Sequence, residues 1–258
     1  MDDTALSRLA PANTPVRPLP IALAIAYAVF FVGGLYVVTG FHENPAYPSP
    51  GDGVGRIVAY FERNGGDVRT SIFLNFAAEL FLGAFTAVVV SRLGAFTPRR
   101  PLVDVVLFAG FAVALLQMVS HLAEWTATFP GLGQPGILTA FYLSYGLGGP
   151  SFSLTMGVFV GLLATVGWRC RALPGWVVWS GGVIALIGLV SWGNLLAPEV
   201  GFLTPLIPLV RFPSLAWLIV RSSRTETGST RSVIPSAGGR MAVWGLMPIS
   251  KLILLTAT

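Results

Sequence analysis

Six stretches of roughly 20 or more mainly apolar residues, parted by short polar breaks, run along this 258-residue chain. Each is long enough to cross the hydrocarbon of a bilayer as a helix. A soluble domain of this length has no core that could hide all six. Composition agrees, with 54% hydrophobic and only 10% charged residues, against about 25% charged in soluble domains. The fold class expected is therefore all-α: a polytopic membrane helix bundle with six transmembrane helices.

The spans are expected at 19–40, 71–95, 102–125, within 137–167, at 176–196 and at 202–220. The first is too long, and too poor in cleavage-site features, for a removed signal peptide, so it reads as a retained anchor. No two spans are self-similar, which argues against an internal repeat. Cys170 stands alone, leaving no intramolecular disulfide and no thiolate metal cluster.

Loop charge orients the bundle. Sixteen basic residues, all Arg but Lys251, face eleven acidic ones, for a net charge of +5. In a soluble protein that balance would point to nucleic acid; here membrane orientation accounts for it, and no nucleic-acid partner is expected. Arg8 and Arg17 precede the first span, and Arg92, Arg99 and Arg100 surround the second break. Arg169 and Arg171 sit in the fourth break, while Arg221, Arg224, Arg231 and Arg240 follow the sixth span. The third and fifth breaks carry no basic residue, so both termini are expected on the cytoplasmic side. The long loop 41–70 departs from the pattern with Arg56, Arg63 and Arg69, but Glu43, Asp52, Glu62 and Asp67 accompany them. The domain plan is a cytoplasmic segment 1–18, the six-helix domain 19–221 and a cytoplasmic tail 222–258. Within the tail, 241–258 is apolar again but broken by Pro248 and Lys251, so it reads as interfacial rather than as a seventh span. The Arg-, Ala-, Gly- and Pro-rich usage suits a GC-rich bacterium, hence a multi-pass protein of the bacterial cytoplasmic membrane.

Three places break regularity. Residues 42–55 are rich in Pro and Gly, after which Val54, Ile57, Val58 and Phe61 follow helical spacing. A short amphipathic helix lying on the outer membrane surface, ended by Gly65 and Gly66, is expected there; a binding loop is the functional alternative. Gly148-Gly149-Pro150 predicts a kink within the fourth span. Pro205, Pro208 and Pro213 make the outer half of the sixth the least regular backbone, which membrane depth tolerates only against protein or a wet cavity. Gly157 and Gly161 form a small-xxx-small pair suited to close helix packing. Gly131, Gly133 and Gly136 match a dinucleotide-binding spacing spuriously, since no strand precedes them and Pro135 interrupts.

Ionisable groups inside spans are costly and so informative. Asp104 lies in the first turn of the third span, stabilised by the helix dipole and nearby Arg99 and Arg100, and reads as structural. Glu79 falls about 12 Å below the outer surface at the helical rise, Gln117 shares that depth, and Arg211 lies about 13 to 14 Å down. Glu79 and Arg211 are therefore expected to form a buried charge pair. Asn75, Glu79 and Thr86 share one face of the second span, and Gln117, Ser120, His121 and Glu124 make one stripe on the third. Asn194 and His121 come nearer the outer surface, Glu124 sits at the mouth, and Tyr142 and Tyr145 enter from the fourth span. The expected ligand-binding set is Asn75, Glu79, Gln117, His121, Glu124, Tyr142, Tyr145, Asn194 and Arg211, forming a polar pocket in the outer half closed from below by apolar residues.

The same residues also suit a plainer role, bonding helices together at about 0.6 kcal/mol each. Catalysis has little to build on. His121 and Glu124 form half of a metal or acid–base set, and zinc would have to recruit Glu79 as well. Haem ligation would need His42 from a Pro-rich loop, and Ser151 and Ser153 lack a legible base. No catalytic residue, metal or cofactor is expected.

The stretch Gly55-Arg-Ile-Val-Ala-Tyr-Phe-Glu-Arg63, and Leu173-Pro-Gly-Trp176 with Trp179 opening the fifth span, resemble a set of actinobacterial-type six-span integral membrane proteins of uncharacterised function. The resemblance spans about 19–224 and implies a fold but no catalytic residues. The function expected is a non-enzymatic accessory, sensing or scaffold protein. A small-solute or proton-coupled transporter using Glu79, His121 and Arg211 is the alternative, and an intramembrane enzyme a second. The partners expected are the lipid bilayer and, if any protein, another membrane protein or a second copy of itself.

Overall fold

The computed structural model describes residues 18–39, 47–96, 100–197 and 202–227, all within one compact unit. His42, Arg8, Arg17, Arg99, Arg231, Arg240 and the apolar stretch 241–258 lie outside the described residues. Six helices are long and apolar enough to cross a membrane, and among the described residues there is no strand.

Helix α1 spans Leu19–Thr39 and α2 Val54–Phe96, the latter broken at Asn64 (φ −109°, ψ 17°). Helix α3 covers Arg100–Thr126. Helix α4 (Gly133–Gly146) runs through a π-helical turn, Leu147–Ser151, into α5 (Phe152–Arg169). Helix α6 covers Gly175–Ser191 and tightens into a 3-10 turn, Trp192–Leu195; α7 is Leu206–Thr227. Helix α1 packs on α2 and α7, α3 on α2, α4 and α5, and α6 on α5 and α7. The antiparallel α2–α3 pairing expected from their short connection is present.

Burial follows the sequence periodicity. In α1 the buried residues are Pro20, Ala24, Tyr27, Phe31 and Gly34, one stripe at three- and four-residue spacing. Leu19, Ile25, Val29 and Tyr36 of that helix turn outward. Helix α6 likewise turns Trp176, Trp179, Val183, Leu186 and Leu189 outward. Close backbone approach joins α5 to α6: a Cβ on Gly157 would lie 3.2 Å from Gly188 Cα, and one on Gly188 would lie 2.5 Å from the Ser153 carbonyl oxygen. Gly157 and Gly161 thus serve packing, as their spacing suggested.

Two apolar clusters form the core. The larger includes Ala78, Leu82, Phe85, Val106, Val113, Phe152, Phe159 and Val210. The smaller joins Ile57, Tyr60, Phe61, Val68 and Ile72 of α2 to Ala127, Ile137, Ala140 and Phe141. This corrects the surface-helix expectation. The 54–63 arm does not lay its apolar face on lipid; the Asn64 break folds it over the end of the bundle, where Ile57 and Phe61 bury against α3 and α4. The break comes one residue before Gly65, and Asn64 Nδ2 donates to the Tyr60 carbonyl (2.9 Å), replacing helical bonding lost there. Tyr60 also donates its hydroxyl proton to the Val38 carbonyl of α1 (3.0 Å).

Candidate functional site

The polar residues form a layer between the two clusters. Along α2 the order is Ile72, Asn75, Ala78, Glu79, Leu82; along α3 it is Ala114, Gln117, Ser120, His121, Glu124, Ala127. On the α4–α5 segment Phe141 precedes Ser144 and Gly148, and Phe152 follows. The layer is therefore covered from both ends. An outer mouth left open beside Glu124 is not what forms: the 54–63 arm and Tyr47 occupy that side.

The π-turn sets the position of Arg211. Pro150 has no N–H to give, and the Phe152 N–H, which a regular α-helix would direct to Gly148, goes to Leu147 and Gly149 instead. That leaves the Gly148 carbonyl to accept from Arg211 Nη2. The guanidinium also rests over the rings of Phe152 (4.8 Å) and Phe31 (5.3 Å). Its Nε has no protein partner. Gly148 packs so closely on Gln117 and Ser120 that any Cβ there would collide with their polar ends.

Glu79 is fully buried, and neither carboxylate oxygen meets a donor. It interacts electrostatically with Arg211, yet the two form no ion pair. The expected direct pair is thus corrected to two separated charges, because the freed Gly148 carbonyl and the aromatic faces hold the guanidinium. Arg211 also interacts with Tyr27, Glu124 and Tyr47. Tyr27 of α1, whose buried hydroxyl lacks a partner, senses both Glu79 and Arg211.

The remaining residues divide sharply. Ser120 Oγ donates to the Ser144 carbonyl (2.8 Å), an α3–α4 bond of the helix-joining kind. Asn75 Oδ1, Gln117 Oε1 and both His121 ring nitrogens have no partner; His121 Nδ1 stands 3.7 Å from Glu124 Oε2, beyond hydrogen-bond reach. Glu124 is hydrogen-bonded by the Tyr47 hydroxyl, which burial and that carboxylate hold well above the usual phenol range. The Tyr47 ring packs against Tyr60 (5.4 Å), Phe61 (6.3 Å) and Phe141 (6.4 Å).

No protein-family model, curated protein or solved structure matches this chain. Its site stands on its own geometry.

Two expected members fall away. Tyr142 is 44% exposed and turned out of the bundle, because α4's buried stripe runs through Ile137, Ala140, Phe141 and Ser144. Asn194 is buried but committed locally, its Nδ2 donating to Ser191 (3.0 Å) while Thr204 approaches Oδ1 at 3.5 Å. Tyr145 is half-buried, bonded to Thr204 and packed on Gly149. Ser153 donates to the Gly149 carbonyl (2.9 Å), so its hydroxyl is not poised as a nucleophile. Among the described residues no three His, Cys, Asp or Glu side chains gather as a metal set. Sequence reasoning missed Tyr27 and Tyr47. The first could have been found from its register with Ala24, Phe31 and Gly34; the second, in a Pro-rich loop, had no periodicity to betray it.

Proposed function

We propose that this integral membrane protein is a non-enzymatic sensing or accessory protein of the bacterial cytoplasmic membrane, and that its enclosed polar layer binds a small polar ligand. One observation carries the reading. Tyr27 Oη, Asn75 Oδ1, both oxygens of Glu79, Gln117 Oε1, both nitrogens of His121 and Arg211 Nε are buried without protein partners. Polar residues kept only to join helices bond across them, as Ser120 and Ser144 do in this same layer. Native interiors leave few buried polar atoms unpaired, and so many from four helices point to recognition of something else. The carrier alternative shares this layer, which is sealed at both ends as an occluded site would be.

The test is stability. Gln117→Met keeps side-chain volume and removes an oxygen that nothing in the protein bonds. Its thermal melt in detergent should match or exceed wild type, by up to about 1–3 kcal/mol. A loss of that size would mark Gln117 as a helix-joining residue and end the proposal. In a Cys170→Ser background, thiol reagents reaching Gln117→Cys from both membrane faces would favour the carrier; access from one face favours the sensing or accessory role.

A further inference from the structure

The separation of Glu79 from Arg211 is the least expected feature of the molecule. In a low-dielectric interior, a long, flexible arginine that senses a bare carboxylate should swing to it. Arg211 is held away instead by three contacts, with the Gly148 carbonyl and the rings of Phe31 and Phe152. The carbonyl is available only because the Gly-Gly-Pro segment forms a π-turn. A carboxyl group and a guanidinium are thus fixed apart, each with bonding capacity the protein does not use.

The unused atoms sort by chemistry. Around Glu79 they are acceptors: both carboxylate oxygens, and Asn75 Oδ1 one helical turn away on the same face. An ammonium carries three N–H donors and no acceptor, so it matches this side. At Arg211 the unused Nε–H is a donor, matching an acid group, which guanidinium recognises through paired hydrogen bonds, while the Tyr27 hydroxyl, which senses both Glu79 and Arg211, can donate or accept. A lone cation would leave Arg211 Nε unbonded, and a lone anion would leave the Glu79 oxygens so.

Resting on the proposal that the layer is a binding site, we infer that its ligand is a small zwitterion, with its ammonium against Glu79 and Asn75 and its acid group against Arg211. Such a molecule satisfies both buried groups and adds no net charge to the membrane interior.

The experiment uses the full chain in lipid nanodiscs. Melts are recorded with glycine, β-alanine, γ-aminobutyrate and the protein amino acids, and with matched sodium acetate and methylammonium chloride, singly and mixed. At least one zwitterion should raise Tm by roughly 5–10 °C near a hundred times its Kd, while the monopolar ions, even mixed, should not. Glu79→Gln should weaken that zwitterion at least about tenfold, the loss of one charge-assisted bond; Tyr142→Phe, outside the layer, should not. The inference is overturned if no zwitterion shifts Tm, if acetate or methylammonium does as well, or if Glu79→Gln binds unchanged. Should Glu79→Gln fail to fold, the wild-type comparison alone decides. A stable Gln117→Met with no zwitterion response would sink the ligand class and leave the binding site standing.

Discussion

Glu79 and Arg211 differ in what the fold has done for them, and that difference is measurable. Arg211 makes a charge-assisted bond to Gly148 and lies over two rings; Glu79 makes no bond at all. A buried charge without a partner destabilises, so Glu79→Gln should leave thermal stability unchanged or raise it. Arg211→Gln should lower it by about 2–4 kcal/mol, since it strands the Gly148 carbonyl and removes the contacts with both rings. A direct ion pair would instead give comparable losses from either side. Equal losses in the two melts would therefore overturn the separated-charge geometry. Partner choice was not legible in the sequence, because it hinges on one carbonyl released by a π-turn.

At the scale of elements, the folded arm of α2 and the α5–α6 contact carry opposite lessons about small and large residues. Phe61 is 2% exposed and sits with Ile57, Ala140 and Phe141 over the polar layer. Arg69 reinforces this end, donating from Nε to the Thr128 hydroxyl (2.9 Å) and from Nη2 to its carbonyl (2.8 Å). Phe61→Ala should cost about 3–5 kcal/mol and speed thiol labelling of Gln117→Cys; an unchanged labelling rate would show that the arm does not govern access. The periodicity of Val54–Phe61 announced an amphipathic helix, and helix there is. It could not say whether lipid or protein would cover the apolar face, since both present the same hydrocarbon.

For the whole molecule, orientation in the membrane follows from charge rather than from packing. Cys170 is exposed at the α5–α6 turn, between Arg169 and Arg171. An impermeant maleimide should leave it unlabelled in intact cells and label it in inverted vesicles. A cysteine at Gln134, at the exposed start of α4, should behave oppositely; Gly133 is avoided because its φ of 69° suits glycine. Labelling of Cys170 from outside would reverse the positive-inside reading.

Local pattern alone determined the six spans, the interruption of regular helix at Gly148-Gly149-Pro150 and the polar stripes on α2 and α3, because hydrogen bonding in hydrocarbon forces helices and helical phase then assigns faces. Only the tertiary structure decided that Tyr27 joins the layer from α1, that Tyr47 and the α2 arm cover it, and that Tyr142 leaves it. A tyrosine in an apolar run reads alike whether it meets lipid or protein. Its surroundings depend on how neighbouring helices rotate and on backbone breaks such as Asn64, which no span-by-span pattern contains.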